Sequence, residues 1–344
     1  MTLEQFKRWF DPQLSSAVDQ LARQSVVHVK DPFLARLINH TVKLINHGGK
    51  RIRPYLAAQM YESTGGKRLN SITNALIGIE LYHTFCLIHD DIMDHGTTRH
   101  GIPTLHVWTA SALRKEKCLG DATHVGQSQA ILAGDMVCAW AFERFGAVGN
   151  TRANTYFEAL VREVIAGQMI DVNLTTKNSA TVQQINQKMR LKTARYTFVY
   201  PLKIGAALAG HNSDQFSEKF GTALGLAYQI QDDLLDITTS TQELTKTTGN
   251  DLRYRQHTLF TYYLMHYGGA TAKKELERWF GNPSHDDRAT IVQLFHSSGA
   301  IQYGQRAIQK HLNEARIALD QQSFKPDHAA IWNNFIAYLT SRSS

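Results

Sequence analysis

Apolar residues recur along this chain at intervals of three and four. Leu34, Leu37, Ile38, Val42 and Ile45 keep that rhythm and stop at Gly48-Gly49, as one face of an amphipathic helix ended by glycine would. Ile72, Leu76, Ile79, Tyr82, Phe85 and Cys86 continue it from Ser71, a candidate cap. The same spacing predicts helices over roughly 127–147, 151–175, 180–210, 213–238, 257–268, 270–280, 287–297, 299–323 and 328–341. Pro201 falls inside one of them and should kink it. No stretch alternates apolar and polar residues over a strand's length, so the expected fold class is all-α. The least helical parts are about 95–127 and 238–256, each just after an acidic cluster. No low-complexity linker divides the chain, so a single domain over 1–344 with two long functional loops is expected.

Composition agrees with long helices. There are 7 prolines in 344 residues, well below average usage, and helices are broken by little else as sharply. Hydrophobic residues make up 43%, which excludes a disordered chain. Three cysteines, Cys86, Cys118 and Cys138, stand without metal-ligand spacing and in odd number. A disulfide framework or zinc knuckle is not expected, and a reducing, cytoplasmic setting fits. The first ten residues carry charges where an export signal needs an apolar stretch, and no run of about 18 apolar residues suggests an integral membrane segment. The net charge of +7 suits a nucleic acid, an anionic surface or a phosphorylated small molecule.

The chemistry concentrates in two acidic clusters. His89-Asp90-Asp91-Ile92-Met93-Asp94 and Gln231-Asp232-Asp233-Leu234-Leu235-Asp236 each end an apolar helical run with the same D-D-x-x-D spacing. Residues i and i+4 share a helix face, so Asp90 pairs with Asp94 and Asp232 with Asp236. Carboxylates so placed repel unless a cation joins them, and Mg²⁺ takes one or two carboxylates together with water and phosphate oxygens. One such cluster could be a solvated helix end; two with the same spacing and the same apolar approach argue for metal. Lys50, Arg51 and Arg53 follow the Gly48-Gly49 pair, Arg99 lies five residues past Asp94, Lys192 and Thr193 lie mid-helix, and Lys246 lies ten residues past Asp236. Acidic clusters for metal and dispersed cations for phosphate oxygens together suit two diphosphates.

These motifs resemble the trans-isoprenyl diphosphate synthases, or polyprenyl synthetases, across roughly residues 35–260. The resemblance rests on Gly48 to Pro54, His83, Asp90 to Asp94, Arg99 with Gly101, Gly134-Asp135, Gly167-Gln168 with Asp171, Lys192-Thr193, Tyr228-Gln229 running into Asp232 to Asp236, and Lys246, Gly249 and Asp251. It implies an isoprenoid-synthase-type helical bundle around a central cavity, usually a homodimer, with both aspartate motifs at its mouth. By similarity, Asp90, Asp94 and Asp232 would be the principal ligands of three Mg²⁺ ions, supported by Asp91, Asp233 and Asp236. Arg99, Lys192 and Lys246 would help hold an allylic diphosphate (dimethylallyl, geranyl or farnesyl). Lys50, Arg53 and His83 would hold isopentenyl diphosphate. Thr193 and Gln229 would stabilise the allylic cation that isopentenyl diphosphate attacks.

The sequence departs from the family pattern in places. His100 stands where a second arginine is common, Thr245 where a glycine precedes the loop lysine, and Gln256, beside Arg255, where a second lysine often follows. Leu113 to Cys118 suggests no chemistry, and a mobile surface loop over about 107–127 is expected. A class I terpenoid cyclase would usually carry a different second metal motif, and a non-catalytic partner subunit would show eroded aspartates. Nucleic-acid binding has no motif here. Phe85 lies five residues before Asp90, about 7.5 Å down the helix, with small Cys86 next to it and Tyr82 as another possible floor. In this family that pattern implies a geranylgeranyl (C20) product, with farnesyl (C15) as the alternative.

Overall fold

A computed structural model describes residues 1–28, 30–238, 250–282 and 288–340. The chain is all-α, apart from a hairpin of two-residue strands, Thr98–Arg99 paired antiparallel with Ile102–Pro103. It forms two compact units, Met1–Asn154 and Thr155–Ser344.

In the first unit, α1 (Leu3–Val26) is a helix that the periodicity reading, which starts at Leu34, leaves unassigned. Phe6, Phe10, Leu14, Val18 and Leu21 form its buried stripe, and a Thr2/Gln5 capping box starts it. Next come α2 (Pro32–Asn46), capped by Asp31, and α3 (Ile52–Ser63). The cap expected at Ser71 is not made. Residues Leu69–Ile72 form a 3₁₀ turn in which the Ser71 hydroxyl donates to the Arg68 carbonyl, and α4 (Thr73–Met93) begins beyond it without a side-chain cap.

The loop expected over 107–127 is also corrected. Leu105–Lys115 is a helix, α5, and α6 (Ala122–Gly146) starts at its Asp121 cap. Only Leu105, Thr109 and Ala110 of α5 are buried, so its apolar stripe is too thin to register as a period. Trp108 stacks on His40 of α2 at 4.4 Å, and Arg36 pairs with Glu116 at 2.6 Å. The segment Leu69–Met93 is long and apolar enough to cross a membrane, but 61% of that window is buried inside the fold, as in a core helix.

The second unit holds most of α7 (Thr151–Thr175), then α8 (Val182–Met189), α9 (Tyr200–Leu208) and α10 (Asp214–Thr238). Beyond these lie α11 (Asn250–Arg253), α12 (Leu259–Tyr267), α13 (Gly269–Trp279), α14 (Arg288–Ser297), α15 (Ala300–Asp320) and α16 (Pro326–Thr340). The predicted 180–210 helix is three pieces. Between α8 and α9, residues Arg190–Val199 wind as a π-helix, and Pro201 sits in the first turn of α9. Proline has no N–H and crowds the carbonyl four residues earlier, and a wider turn ahead of it relieves both. The widened backbone fits because its neighbours are glycines. A Cβ on Gly167 would meet the Lys192 nitrogen at 2.6 Å, one on Gly221 the Val199 Cα at 2.9 Å, and one on Gly225 the Ala194 Cα at 2.3 Å. Arg195, bound by Glu163, Glu218 and Tyr200, ties the outer face of the same turn to α7 and α10.

Gly225→Ala should therefore destabilise the protein by about 3 kcal/mol or more, seen as a lowered melting temperature. Gly146→Ala, where an added Cβ meets nothing within 4 Å, should leave it close to wild type.

Candidate active site

Residues at the C-terminal end of α4 divide by exposure. Asp91 is buried, 2% exposed, while Asp90 and Asp94 are half-buried. Asp94 is the C-cap, its N–H donating to the Asp90 carbonyl at 2.8 Å. Arg99, on the hairpin, binds both oxygens of Asp91, with Nε–Oδ2 at 3.2 Å. Asp91 thus holds Arg99 in place, and the two outer carboxylates remain on the open face.

The basic loop divides in the same way. Arg51 is 6% exposed and left-handed at φ 53°, and it binds Glu80 at 2.7 Å, Asp11 at 2.9 Å and the Ile45 carbonyl at 3.0 Å. It pins the loop to α1 and α4. Lys50 is exposed and Arg53 half-buried. Gly48 and Gly49 take φ 87° and 100°, which only glycine adopts cheaply, and a Cβ on Gly48 would meet the His100 ring at 3.2 Å. The structure thus brings His100 against the glycine pair. Burial, reinforced by Arg53, Arg99, Arg51 and His100, pushes His83 well below the usual histidine range. His83 is therefore a neutral imidazole among cations at pH 7.

In the second unit, α10 repeats the arrangement of α4. Asp233 is buried, 8% exposed, while Asp232 is exposed and Asp236 half-buried. The Gln229 amide donates to Asp233 at 2.7 Å and accepts from the Thr193 hydroxyl, so these three form one chain. Burial, with Asp232 and Asp236 adding to it, pushes the Asp233 carboxyl up to about 7. Burial and the same neighbours push Asp251 well up, and its N–H donates to Asp236 at 3.1 Å. Lys192, in the π turn, binds Asp171 at 2.6 Å. Lys246 lies outside the described residues.

The family model for polyprenyl synthetase matches residues 33–296. The chain belongs to the polyprenyl synthetase family. It is a prenyltransferase. A short chain isoprenyl diphosphate synthase of Methanothermobacter thermautotrophicus is 29% identical over 89% of this chain and 90% of its own. A geranylgeranyl diphosphate synthase of Methanosarcina mazei is 30% identical over 80% of this chain and 81% of its own. The crystal structure of a geranylgeranyl pyrophosphate synthase of Corynebacterium glutamicum, complexed with isoprenyl diphosphate and magnesium, superposes with a TM-score of 0.88 at 26% identity. That superposition covers 97% of this chain and 98% of the other.

Membership in this polyprenyl synthetase family indicates dependence on Mg²⁺, and the residues fit that ion. Among the described residues no three His, Cys, Asp or Glu groups gather closely enough to hold a metal alone. Each motif instead offers two reachable carboxylates on one helix face, which is what Mg²⁺ takes when water and phosphate complete its shell. Beside them, burial first, and then the nearby Asp236 and Asp233, push the Asp251 carboxyl well above the usual carboxylate range. Of the chain-length candidates, Tyr82 is wholly buried, and Phe85 and Cys86 are half-buried. Phe85 lies 4.5 Å from His89 and 5.3 Å from Tyr82. At about 100° per residue, Cys86 lies nearly beneath Asp90 and Phe85 well round the helix.

Three structural roles escaped sequence reasoning. Arg51 is indistinguishable in sequence from the cations beside it. Arg255, at φ 58°, binds the carbonyls of Thr175, Lys177 and Phe280 and takes no place among the site's cations. Lys188 stood in no motif, although it lies one helical turn before Lys192.

A raised carboxyl pKa has a stability consequence. Below about pH 4 Asp233 is protonated whether folded or not. Above that the unfolded chain loses the proton and the folded one retains it to about pH 7, so stability falls as pH rises through that window. Without metal, the melting temperature should drop from about pH 5 to about pH 8. Asp233→Asn should flatten that drop, leaving the part due to Asp251.

Proposed function

We propose that this prenyltransferase condenses an allylic diphosphate with isopentenyl diphosphate, forming a short-chain all-trans polyprenyl diphosphate. The observation that carries this reading is the matching division of the two aspartate motifs. In each, the middle carboxylate is buried and held by the protein, and the outer two are more exposed. Asp90, Asp94 and Asp232 are the principal ligands for three Mg²⁺ ions, with Asp236 in support. Asp91 and Asp233 act one step behind them. Bound Mg²⁺ supplies positive charge that offsets the charge developing on the leaving diphosphate.

Arg99, Lys192 and Lys246 bind the allylic diphosphate and stabilise it as the C–O bond breaks. Thr193 donates its proton to Gln229, so its oxygen lone pairs remain for the allylic cation. Lys50, Arg53, neutral His83 and His100 bind isopentenyl diphosphate. The double bond of that substrate attacks, and the departed diphosphate takes the proton that is lost. No side chain is a nucleophile. The family match runs without interruption across both units, which supports one catalytic domain serving one reaction. A homodimer and a cytoplasmic location follow from the family resemblance.

Geranylgeranyl diphosphate is the proposed product, with farnesyl diphosphate as the alternative. Geranylgeranyl synthases recur among the relatives, beside a geranylfarnesyl synthase of Aeropyrum pernix. Phe85 bounds the growing chain, with Cys86 too small to stop it.

Asp90→Ala and Asp232→Ala should each cut turnover by about two orders of magnitude or more in assays with dimethylallyl diphosphate, isopentenyl diphosphate and Mg²⁺. Circular dichroism should show both folded. Near-normal turnover in either variant would overturn the assignment. Phe85→Ala should move the products to C25 and longer, sized by chromatography. An active variant with the parent's product length would remove Phe85 as the ruler.

A further inference from the structure

Asp171, near the end of α7, is 4% exposed and takes two ammonium groups. Lys192 reaches one carboxylate oxygen at 2.6 Å and Lys188 the other at 3.0 Å. The two lysines differ in setting. The side chain of Lys188 is 11% exposed and that of Lys192 25%. Lys188 also donates to the His257 carbonyl at 2.8 Å, and His257 bonds in turn to the Lys177 carbonyl at 3.1 Å. Lys188 is thus fixed to protein on two sides.

One carboxylate can balance one ammonium. With Lys192 alone, Asp171 would neutralise it and draw it inward. With both lysines the group keeps one surplus positive charge. That surplus lies toward the more exposed amine, since moving it to the buried one costs desolvation. The two ammonium groups together outweigh burial and hold the Asp171 carboxyl below its ordinary range, so the carboxylate is charged throughout the physiological range. Lys188 also acts on Asp233 and Asp251, which places it beside the second acidic motif.

We propose that Lys188 is a positioning residue that balances the charge of Asp171, so that Lys192 keeps its positive charge for the allylic diphosphate. This rests on the proposed role of Lys192 and extends it to a residue outside the family motifs.

The test uses the full chain and two readouts. One is the KM for each substrate in excess Mg²⁺. The other is calorimetric binding of inorganic pyrophosphate with Mg²⁺. Lys188→Met should raise the KM for dimethylallyl diphosphate and weaken pyrophosphate binding, each about tenfold, and leave the KM for isopentenyl diphosphate unchanged. Lys188→Arg should restore most of the loss. Adding Asp171→Asn to Lys188→Met removes the charge that Lys188 balanced, so the double variant should bind pyrophosphate better than Lys188→Met alone. Lys188→Gln, which keeps a donor for the His257 carbonyl, serves if the methionine variant fails to fold. Unchanged allylic KM and pyrophosphate binding in the neutral Lys188 variants would overturn the proposal, as would a double variant no better than the single one. Lys192→Met separates the two readings. If it raises the allylic KM and the Lys188 variants do not, only the role of Lys188 falls. If it leaves that KM normal, both roles fall.

Discussion

Each aspartate motif stands at the C-terminal end of a long apolar helix, where the aligned peptide dipoles already present negative charge. Three carboxylates added there repel one another and the helix. The protein meets this by removing one of the three from the open face. Asp91 is buried against Arg99 on the neighbouring hairpin, and Asp233 is buried against Gln229, within reach of Lys188. The outer pairs remain together on the more exposed side of each helix end. On the proposed reading, an arrangement that is unfavourable alone would become favourable when a divalent cation and a diphosphate arrive.

The cations follow the same logic. Arg51 is surrounded by Glu80, Asp11 and a carbonyl and holds the glycine loop, while Lys50 and Arg53 on either side are more exposed. Lys188 and Lys192 share Asp171 with the more buried amine fixed to backbone. In both groups one charged residue is the more deeply buried and bound inward, and its neighbour is the more exposed. Removing Arg51 would take from the buried Glu80 its 2.7 Å ion pair, which costs more than losing a surface contact would.

The π turn connects this electrostatic arrangement to packing. Lys192 and Thr193 lie in it, and Thr193 completes the chain through Gln229 to Asp233. The turn exists because Gly167, Gly221 and Gly225 let neighbouring helices approach its backbone, and Arg195 closes its outer side. Backbone contact at this distance leaves little room to relax, which suits a segment that must present an amine and a hydroxyl in fixed register.

Much of this was legible in the chain itself. The 3.6-residue period gave most of the helices and the all-α class, because a core-facing stripe leaves a repeating trace. The D-D-x-x-D spacing gave the outer carboxylate pairs, because i and i+4 coincide on any helix. The period failed at α5, whose stripe is three residues, and at the π turn, whose widening depends on glycines 22 and more residues away in sequence. Sequence put Arg51 in one run with Lys50 and Arg53, and Asp91 in one run with Asp90 and Asp94, without saying what each would meet. Which of them is buried was decided by Glu80, Asp11 and Arg99, partners brought up by the tertiary fold. Local spacing fixes the direction a side chain takes from its own helix, but the charge it meets there is set by other elements, and that decides whether it serves the fold or the substrate.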